Sequence, residues 1–354
     1  MLSCGIVGLP LVGKTTLFNL LTRLEAESSP YAGKTNTGIA PVPDARLDFL
    51  AQLYRPRKVV PAALKVIDVP GLVPGSGSAF LSAVREADAL IHVVRAFQNP
   101  EVPHIKEEIS PLRDLDMVNM ELFVADLQMV ENRLERLARQ KKIKGEHLRE
   151  KEALERCRQL LELEMPLSSG DLTEGEWEAI KHMEFLTLKP MMVVVNLDER
   201  QLAVNHYPDK EGIENYCLQK GIPLLEICLA LEREIFALEP EERQIFLREM
   251  GIEEPGVNLL IKALYRRLGL ISFFTVGENE VRAWTIKEGT DAKSAAGKIH
   301  SDMERGFIRA EVVNFQVLKE LGDMGRVKEK GLLRLEGKEY KVKDGDIIHF
   351  RFNV

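Results

Sequence analysis

A candidate phosphate-binding loop lies near the start of the 354-residue chain. Residues 8–15 read GLPLVGKT and fit the pattern G-x-x-x-x-G-K-[ST]. In such a loop the glycines let successive N–H groups face the phosphates, Lys14 reaches the β and γ oxygens, and the Thr15 hydroxyl ligates Mg²⁺. An apolar run at residues 4–7 precedes the loop and helical spacing follows it. This strand–loop–helix context predicts a site for a nucleoside triphosphate.

A candidate second ligand for Mg²⁺, an acidic side chain, follows the phosphate-binding loop by about fifty residues. Asp68 ends an apolar run and begins the sequence Asp-Val-Pro-Gly, the D-x-x-G arrangement of switch-type NTPases. The N–H of Gly71 could then face the γ-phosphate and sense hydrolysis. Leu72 stands where a Ras-like protein has the glutamine that orients the attacking water. We therefore expect slow hydrolysis, or a water placed by another group.

Base recognition is expected in the loop at residues 196–199, which reads Asn-Leu-Asp-Glu where a GTPase has N-K-x-D. The fourth residue of that motif accepts hydrogen bonds from guanine donors that adenine lacks. Glu199 is one methylene too long for this role and Leu197 replaces the lysine, so both changes disfavour guanine. Recognition of guanine by Asp198 stays an alternative, because a shift of the loop by one residue would place its carboxylate where the aspartate of N-K-x-D lies. The loop that supports the base in GTPases corresponds here to Cys228, Leu229 and Ala230.

The elements around these motifs predict an α/β fold. Apolar runs recur with helical or loop segments between them, which is typical of a mostly parallel sheet. The predicted strands are residues 4–7, 64–69, 89–94, 191–195 and 223–228.

A charged segment at residues 112–165 interrupts this alternation. Its apolar residues recur at helical spacing on both sides of a polar break at 144–146, which predicts two antiparallel helices meeting along an apolar seam. Two ordinary helices packed on the sheet are the alternative. The seam residues are Leu127, Val130, Leu134, Leu137, Leu154, Cys157, Leu160 and Leu161.

The last part of the chain predicts a small α+β domain with its own core. Residues 273–276, 281–286 and 347–352 read as strands, and residues 291–304 as helical. We therefore expect a P-loop NTPase domain from residues 1–111 and 166–270, a helical hairpin inserted at 112–165, and a C-terminal domain at 271–354.

Bulk composition indicates an ordinary soluble protein. Hydrophobic residues make up 45% and charged residues 29% of the chain, and the net charge of −7 provides no global basic field for nucleic acid. No apolar run approaches the ~20 residues that span a bilayer. The first strand begins at once, so we expect no leader peptide, a cytoplasmic location and no membrane partner. The four cysteines form no C-x-x-C pair and are expected to be buried thiols.

These motifs together resemble the YchF family of Obg-like ATPases over nearly the whole chain. The resemblance implies an ATP-preferring P-loop protein with a helical hairpin insertion and a C-terminal TGS domain, linked to ribosomes, translation and stress responses. It leaves open whether the hairpin or the TGS domain contacts RNA. The matching stretches are residues 8–15, 36–47, 68–75, 92–97, 185–196, 280–290, 295–311 and 342–354.

The resemblance also implies roles for individual residues. Residues 11–16 would wrap the phosphates, Leu197 would touch adenine, and His104 would stand in for the missing catalytic glutamine. The predicted catalytic residues are Lys14, Gly71 and His104. The predicted nucleotide-binding residues are Gly8, Leu11, Val12, Gly13, Lys14, Thr15, Thr16, Asn196, Leu197, Glu199, Cys228, Leu229 and Ala230. The predicted ligands of the Mg²⁺ cofactor are Thr15, Asp68 and Thr35.

Both switch loops depart from the family pattern. Residues 30–38 read PYAGKTNTG where the family has P-F-C-T-I-x-P-N-T-G, so a glycine falls where its Mg²⁺-binding threonine should be. Thr35 or Thr37 is the expected substitute. The loop after Asp68 is also shortened, with Gly-Ser-Gly-Ser at 75–78. These changes should reduce turnover more than phosphate binding, because the P-loop is intact.

Three functions follow from these observations. The first is a slow ATPase that acts as a switch on a ribosomal or translational partner. The second is a nucleotide-gated binding module with little or no hydrolysis. The third is a GTPase that uses Asp198 for guanine.

Overall fold

The structure is a computed structural model that describes residues 2–26, 35–72, 78–139, 145–170 and 172–353. Its strands are β1 Ser3–Val7, β2 Asn36–Pro41, β3 Lys58–Val60, β4 Ala63–Asp68, β5 Ala89–Arg95, β6 Met191–Asn196, β7 Leu224–Ile227, β8 Leu270–Thr275, β9 Glu280–Lys287, β10 Phe307–Asn314, β11 Arg334–Glu336 and β12 Asp346–Phe352. Its helices are α1 Lys14–Thr22, α2 Ala45–Tyr54, α3 Ser78–Arg85, α4 Pro111–Ala138, α5 Gly145–Glu162, α6 Glu174–Ile180, α7 Glu199–Val204, α8 Lys210–Lys220, α9 Leu229–Ala237, α10 Pro240–Glu249, α11 Gly256–Arg267, α12 Ala292–Ile299, α13 Ser301–Arg305, α14 Phe315–Leu321 and α15 Met324–Glu329. Short 3₁₀ turns lie at Leu167–Ser169, Lys181–Met183 and Leu186–Leu188.

The chain divides into two compact units. The first unit comprises Met1–Gly38 and Lys65–Val257, and the second comprises Ile39–Leu64 and Asn258–Val354. The predicted boundaries differ from these units in two places. Residues 39–64 group with the C-terminal part of the chain rather than with the P-loop, and the second unit resumes at Asn258, whereas the predicted C-terminal domain begins at 271.

The first sheet has the strand order β2-β4-β1-β5-β6-β7. Strand β1 pairs in parallel with β4 and β5, β5 pairs in parallel with β6, and β6 with β7. All residues of β1 and β5 are buried, as expected for parallel strands covered on both faces. The predicted mostly parallel α/β sheet is confirmed. Because parallel strands end at one edge, the loops after β1, β4, β5 and β6 meet there.

Strand β2 is absent from the prediction. Its sequence, Asn-Thr-Gly-Ile-Ala-Pro, has one weakly apolar face, and only Gly38 and Ala40 are buried. Its first three residues, 36–38, belong to the first of the two switch loops, residues 30–38, which we call switch I. Residues 30–34 of switch I and residues 73–77 of the second switch loop, which follows β4, lie outside the described residues.

The predicted helical hairpin is confirmed by α4 and α5. Buried residues of the predicted seam form one cluster, and Leu127, Leu134 and Leu160 pack partly buried against it. The buried seam members are Val130, Leu137, Leu154, Cys157 and Leu161. Residues 140–144, which include the start of the predicted polar break, lie outside the described residues. Although α4 has 28 residues, no helix in the described ranges is long and apolar enough to cross a membrane.

One buried carboxylate fixes α4 to the rest of the first unit. Asp126 is fully buried, and its Oδ1 accepts a hydrogen bond from Leu186 N at 2.9 Å. Its Oδ2 accepts from Thr187 N and from Thr187 Oγ1, each at 2.8 Å. The middle of α4 is therefore held at the 3₁₀ turn that leads into β6.

The second unit contains a mixed sheet with the order β11-β10-β12-β8-β9-β3. The predicted strands correspond to β8, β9 and β12, whereas β10 was not predicted. The predicted helix at 291–304 is divided into α12 and α13 at His300, whose backbone is extended. A core around Phe273, Ile286 and Ala295 lies between this sheet and α12, so the predicted C-terminal α+β fold is confirmed.

All four cysteines are free and buried, as predicted. Burial raises the pKa of Cys157 and of Cys217 to about 11, and it also raises the pKa of Cys4 and of Cys228. Because the thiolate is the reactive form and all four side chains are buried, we expect these thiols to react slowly in the folded protein.

Candidate nucleotide-binding site

A cavity of about 770 Å³ opens in the first unit at the edge where the parallel strands end. We call its two parts the phosphate side and the base side, after the roles predicted from the sequence. The phosphate side is lined by Pro10, Leu11, Gly13, Lys14, Thr15, Thr16, Asn36, Asp68, Val69, Pro70 and Gly71. The base side is lined by Phe97, Gln98, Asn99, Val102, Asn196, Leu197, Asp198, Leu229, Ala230 and Arg233.

The loop after β1 has the backbone that the motif requires. Gly8 and Gly13 have φ of 146° and 105°, and Leu11 has φ of 63°. A Cβ on Gly8 would lie 2.4 Å from Val93 O, and one on Gly13 would lie 2.6 Å from Asn196 Nδ2. Both glycines are therefore required by conformation and by space.

Lys14 is held at the first turn of α1, with only 7% of its surface exposed. Its Nζ donates a hydrogen bond to Leu9 O at 2.7 Å. Burial lowers the pKa of Lys14 to about 8, and the Asp68 carboxylate opposes this shift. A buried cation in a loop of this shape is suited to receive phosphate oxygens.

Thr15 and Asp68, two of the predicted metal ligands, form a hydrogen-bonded pair of oxygen groups beside Lys14. Thr15 Oγ1 donates to Asp68 Oδ2 at 2.8 Å, and Asn36 Nδ2 approaches the same oxygen at 3.4 Å. Burial raises the pKa of Asp68, although Thr15 and Lys14 favour the charged form. A hydroxyl and a carboxylate are hard oxygen donors, so this pair fits Mg²⁺ completed by water and phosphate oxygens.

Thr35, the third predicted metal ligand, is not among the residues that line the cavity. It is exposed just before β2 begins, and the next residue, Asn36, lines the cavity and approaches Asp68. Asn36 is therefore the described switch I residue nearest to the predicted metal site. Thr37 is also exposed and does not line the cavity.

The loop after β4 lies against the P-loop. A Cβ on Gly71 would lie 2.9 Å from both N and Cγ of Pro10, so only glycine fits there. Leu72 N donates to Gly8 O at 3.2 Å, and the Leu72 side chain is buried. Leu72 therefore does not present its side chain to the cavity, in contrast to the glutamine of a Ras-like protein.

Asn196 joins the two sides of the cavity. Its Nδ2 donates to Val12 O at 3.0 Å, and its Oδ1 accepts from Leu229 N at 3.2 Å. Its backbone oxygen accepts from the N–H groups of Ala96 and Phe97, each at 3.0 Å. One residue at the end of β6 thus fixes the P-loop, the start of α9 and the loop after β5.

The residues after Asn196 point in different directions. Leu197 is buried and lines the cavity. Asp198 is the N-cap of α7: its Oδ1 accepts from Gln201 N at 2.9 Å, and its Oδ2 accepts from Gln98 N at 3.3 Å. Glu199 is exposed and does not line the cavity, contrary to its predicted contact with the base.

Several other predicted residues also lie away from the cavity surface. Leu229 and Ala230 line it, whereas Cys228 is buried beneath them. Gly8 and Val12 shape the P-loop without lining the cavity.

His104 is hydrogen-bonded at both ring nitrogens. Its Nε2 lies 2.7 Å from Asp114 Oδ2, its Nδ1 accepts from Lys106 N at 3.1 Å, and its side chain is 4% exposed. It does not line the cavity. The predicted role of His104 in placing water is therefore not supported by its position in this structure.

The prediction missed several lining residues. Phe97, Gln98, Asn99 and Val102 follow β5, and Arg233 lies one turn into α9. Ligands of open α/β sheets bind beyond the carboxyl ends of the strands, so the loop after β5 could have been included on that rule.

The fold and the cavity together define a P-loop NTPase. Residues 3–126 match a family model described as 50S ribosome-binding GTPase. Residues 270–353 match a second model, YchF-GTPase_C, described as a protein of unknown function (DUF933).

The relatives extend over the full chain. The chain is 45% identical to "Ribosome-binding ATPase YchF" of Bacillus subtilis over 100% of both chains, and 44% identical to the protein of that name from Haemophilus influenzae over 99% of both. The solved "Structure of the Schizosaccharomyces pombe YchF GTPase" is 33% identical, with a TM-score of 0.89 over 99% of this chain and 97% of that one. This chain belongs to the YchF family.

Proposed function

We propose that this protein binds ATP with Mg²⁺, hydrolyses it slowly, and uses the nucleotide state to regulate its association with the ribosome. The observation that carries the catalytic part is the phosphate side of the cavity, where Lys14, Thr15 and Asp68 converge on a P-loop of the required conformation. The bacterial relatives named above are called ribosome-binding ATPases, which supports both parts of the proposal.

The base side favours ATP over GTP. Leu197 replaces the lysine of N-K-x-D, and both carboxylate oxygens of Asp198 already accept backbone hydrogen bonds. Turning Asp198 towards guanine would remove the N-cap of α7, which costs about 1 kcal/mol. Adenine does not need a carboxylate acceptor, so this arrangement accommodates it without that cost.

Hydrolysis would proceed by in-line attack of water on the γ-phosphate. The P-loop N–H groups and Lys14 would stabilise the charge that develops on the phosphate oxygens. Thr15 and Asp68 would hold Mg²⁺, which neutralises charge on the β and γ oxygens. Because the Leu72 side chain is buried and apolar, it cannot orient the water, and slow turnover follows.

The first test is titration of the full-length protein with ATP and GTP, with and without Mg²⁺, followed by steady-state hydrolysis. We expect ATP to bind at least tenfold more tightly than GTP, a difference of about 1.4 kcal/mol. Equal or GTP-preferring binding would support the GTPase alternative. Tight ATP binding without turnover above that of a Lys14→Ala variant would support the gated binding module.

The ribosomal partner and the cytoplasmic location are proposed from the names of the relatives. We take the hairpin of α4 and α5 and the C-terminal domain, which we assign as a TGS domain, as the faces for ribosomal contact. The test is co-sedimentation with purified ribosomes in the presence of ATP, ADP or no nucleotide. Equal pelleting in all three states would contradict nucleotide-regulated association.

A further inference from the structure

Arg95 forms an unusual set of hydrogen bonds at the end of β5. It is only 1% exposed, and its guanidinium donates to the backbone oxygens of four residues. Nε donates to Phe97 O at 3.2 Å and Nη1 to Pro103 O at 3.2 Å. Nη2 donates to Val102 O at 3.0 Å and approaches Asn99 O at 3.4 Å. One side chain thus donates hydrogen bonds to carbonyl groups along the whole loop that follows β5.

This loop, residues 97–103, forms part of the base side of the cavity. Phe97, Asn99 and Val102 line the cavity, whereas Arg95 does not. The Arg95 guanidinium also lies over the Phe97 ring, 4.3 Å from its centre. Arg95 therefore contacts the loop that forms this part of the cavity wall, without being exposed to the cavity itself.

Both ends of the loop are fixed by other residues. At the start, Asn196 O accepts from Phe97 N and Asp198 Oδ2 accepts from Gln98 N. Beyond the end, His104 is bonded to Asp114 on α4. Between these two attachments the loop has no regular secondary structure. One turn within it is closed by bonds to Asn99, from Val102 N at 3.1 Å and from Glu101 N at 2.9 Å, whereas the bonds from Arg95 reach from Phe97 to Pro103.

We propose that Arg95 is a positioning residue for nucleotide binding: it holds residues 97–103 in the shape that encloses the base, without touching the nucleotide. This inference rests on the proposed nucleotide binding. The planar guanidinium offers five donors in fixed directions, whereas a lysine ammonium offers three around one atom. An Arg95→Lys variant keeps the charge but cannot reach the same set of carbonyl oxygens.

The experiment compares two ligands that differ in the part of the cavity they occupy. Mg²⁺–ATP fills both sides, and Mg²⁺–tripolyphosphate fills only the phosphate side. In full-length Arg95→Lys protein we expect ATP affinity to fall at least tenfold and tripolyphosphate affinity to stay within about twofold, measured by calorimetry. The control is Arg200→Lys, because Arg200 is exposed on α7 and does not line the cavity.

A purely structural role would give a different result. If Arg95 only stabilises the fold, both ligands should lose affinity together, and that outcome would overturn the proposal. Unchanged ATP affinity in Arg95→Lys would overturn it as well. In steady-state hydrolysis the proposal requires a raised KM for ATP with kcat within about twofold, because uniform binding is lost while phosphate contacts remain.

A second variant covers the case in which Arg95→Lys does not fold. Pro103→Gly loosens the same loop while Arg95 and every lining side chain are retained, because Pro103 is exposed and does not line the cavity. It should show the same selective loss of ATP affinity and faster amide exchange at residues 97–103. Wild-type affinity in Pro103→Gly would contradict the proposal. Wild-type protein that binds tripolyphosphate but no ATP would instead overturn the proposed function, and this inference with it.

Discussion

The phosphate side of the cavity takes most of its lining from one continuous stretch, residues 10–16, whereas the base side combines residues 97–102, 196–198 and 229–233. On the phosphate side the backbone conformation limits the residue types strictly, as Gly8 and Gly13 show. On the base side hydrogen bonds between distant loops set the shape. We therefore expect phosphate binding to depend on local conformation and base selection to depend on how three loops are held together.

The largest expected effect is a loss of ATP affinity on substitution of Lys14, which lies on the phosphate side. Replacing Lys14 by alanine removes the buried cation that we propose binds the phosphates, so ATP affinity should fall about a hundredfold, equivalent to ~3 kcal/mol. Calorimetric titration with Mg²⁺–ATP measures this loss. The matched control is Lys151→Ala on the hairpin, which should bind ATP as the wild type does. A loss below about threefold in Lys14→Ala would show that the base side carries most of the affinity.

The next effect comes from Asn196, the residue that links both sides. Asn196→Ala removes the bonds to Val12 O and Leu229 N, which should lower the free energy of unfolding by about 2 kcal/mol. Because both sides lose their common support, ATP and tripolyphosphate should both bind more weakly. Urea unfolding and calorimetry measure the two effects. A loss confined to ATP would mean that Asn196 supports only the base side.

The phosphate side should also show a pH dependence that the base side lacks. The pKa of Lys14 is lowered to about 8 by burial, and bound phosphates would raise it again. Binding therefore takes up a proton above pH 8, so ATP affinity should be constant below pH 8 and fall by up to about tenfold per pH unit above it. Affinity that stays flat to pH 9.5 would contradict this. The residual affinity of Lys14→Arg should show no such fall, because arginine remains charged.

The smallest expected effect is at Asp198. Asparagine is as good an N-cap as aspartate, but its single acceptor oxygen keeps the bond from Gln201 N and loses the exposed bond from Gln98 N. Asp198→Asn should therefore lower the free energy of unfolding by less than about 1 kcal/mol. If Asp198 does not contact the base, the ratio of ATP to GTP affinity should stay the same. Competition binding with the two nucleotides measures this ratio. A selective loss of GTP affinity would show that Asp198 reads guanine.

The sequence predicted that Lys14, Thr15 and Asp68 lie together, because Lys14 and Thr15 are consecutive and the loops after the adjacent parallel strands β1 and β4 must meet. The roles of these residues towards phosphate and Mg²⁺ stay predictions. The fold was equally accessible: the buried strands are short apolar runs, and the hairpin has a clear helical period.

The base side could not be predicted in the same detail. Whether Asp198 or Glu199 faces the cavity depends on where α7 begins, and a shift of one residue decides it. Likewise, β2 begins at Asn36, which leaves Thr35 exposed. His104 finds its partner ten residues later at Asp114, through a loop whose path no short-range pattern fixes.

The four buried cysteines can report local unfolding of the first unit through their reaction with a thiol reagent. Cys4 lies in β1, Cys157 in the hairpin seam, Cys217 in α8 and Cys228 before α9, and all four belong to the first unit. A thiol reagent can modify each one only when its surroundings open, so the order of labelling, resolved by mass spectrometry, gives a map of local opening rates. The second unit contains no cysteine. A single cysteine engineered there would extend the map, and the labelling rates of the four native thiols would serve as internal references.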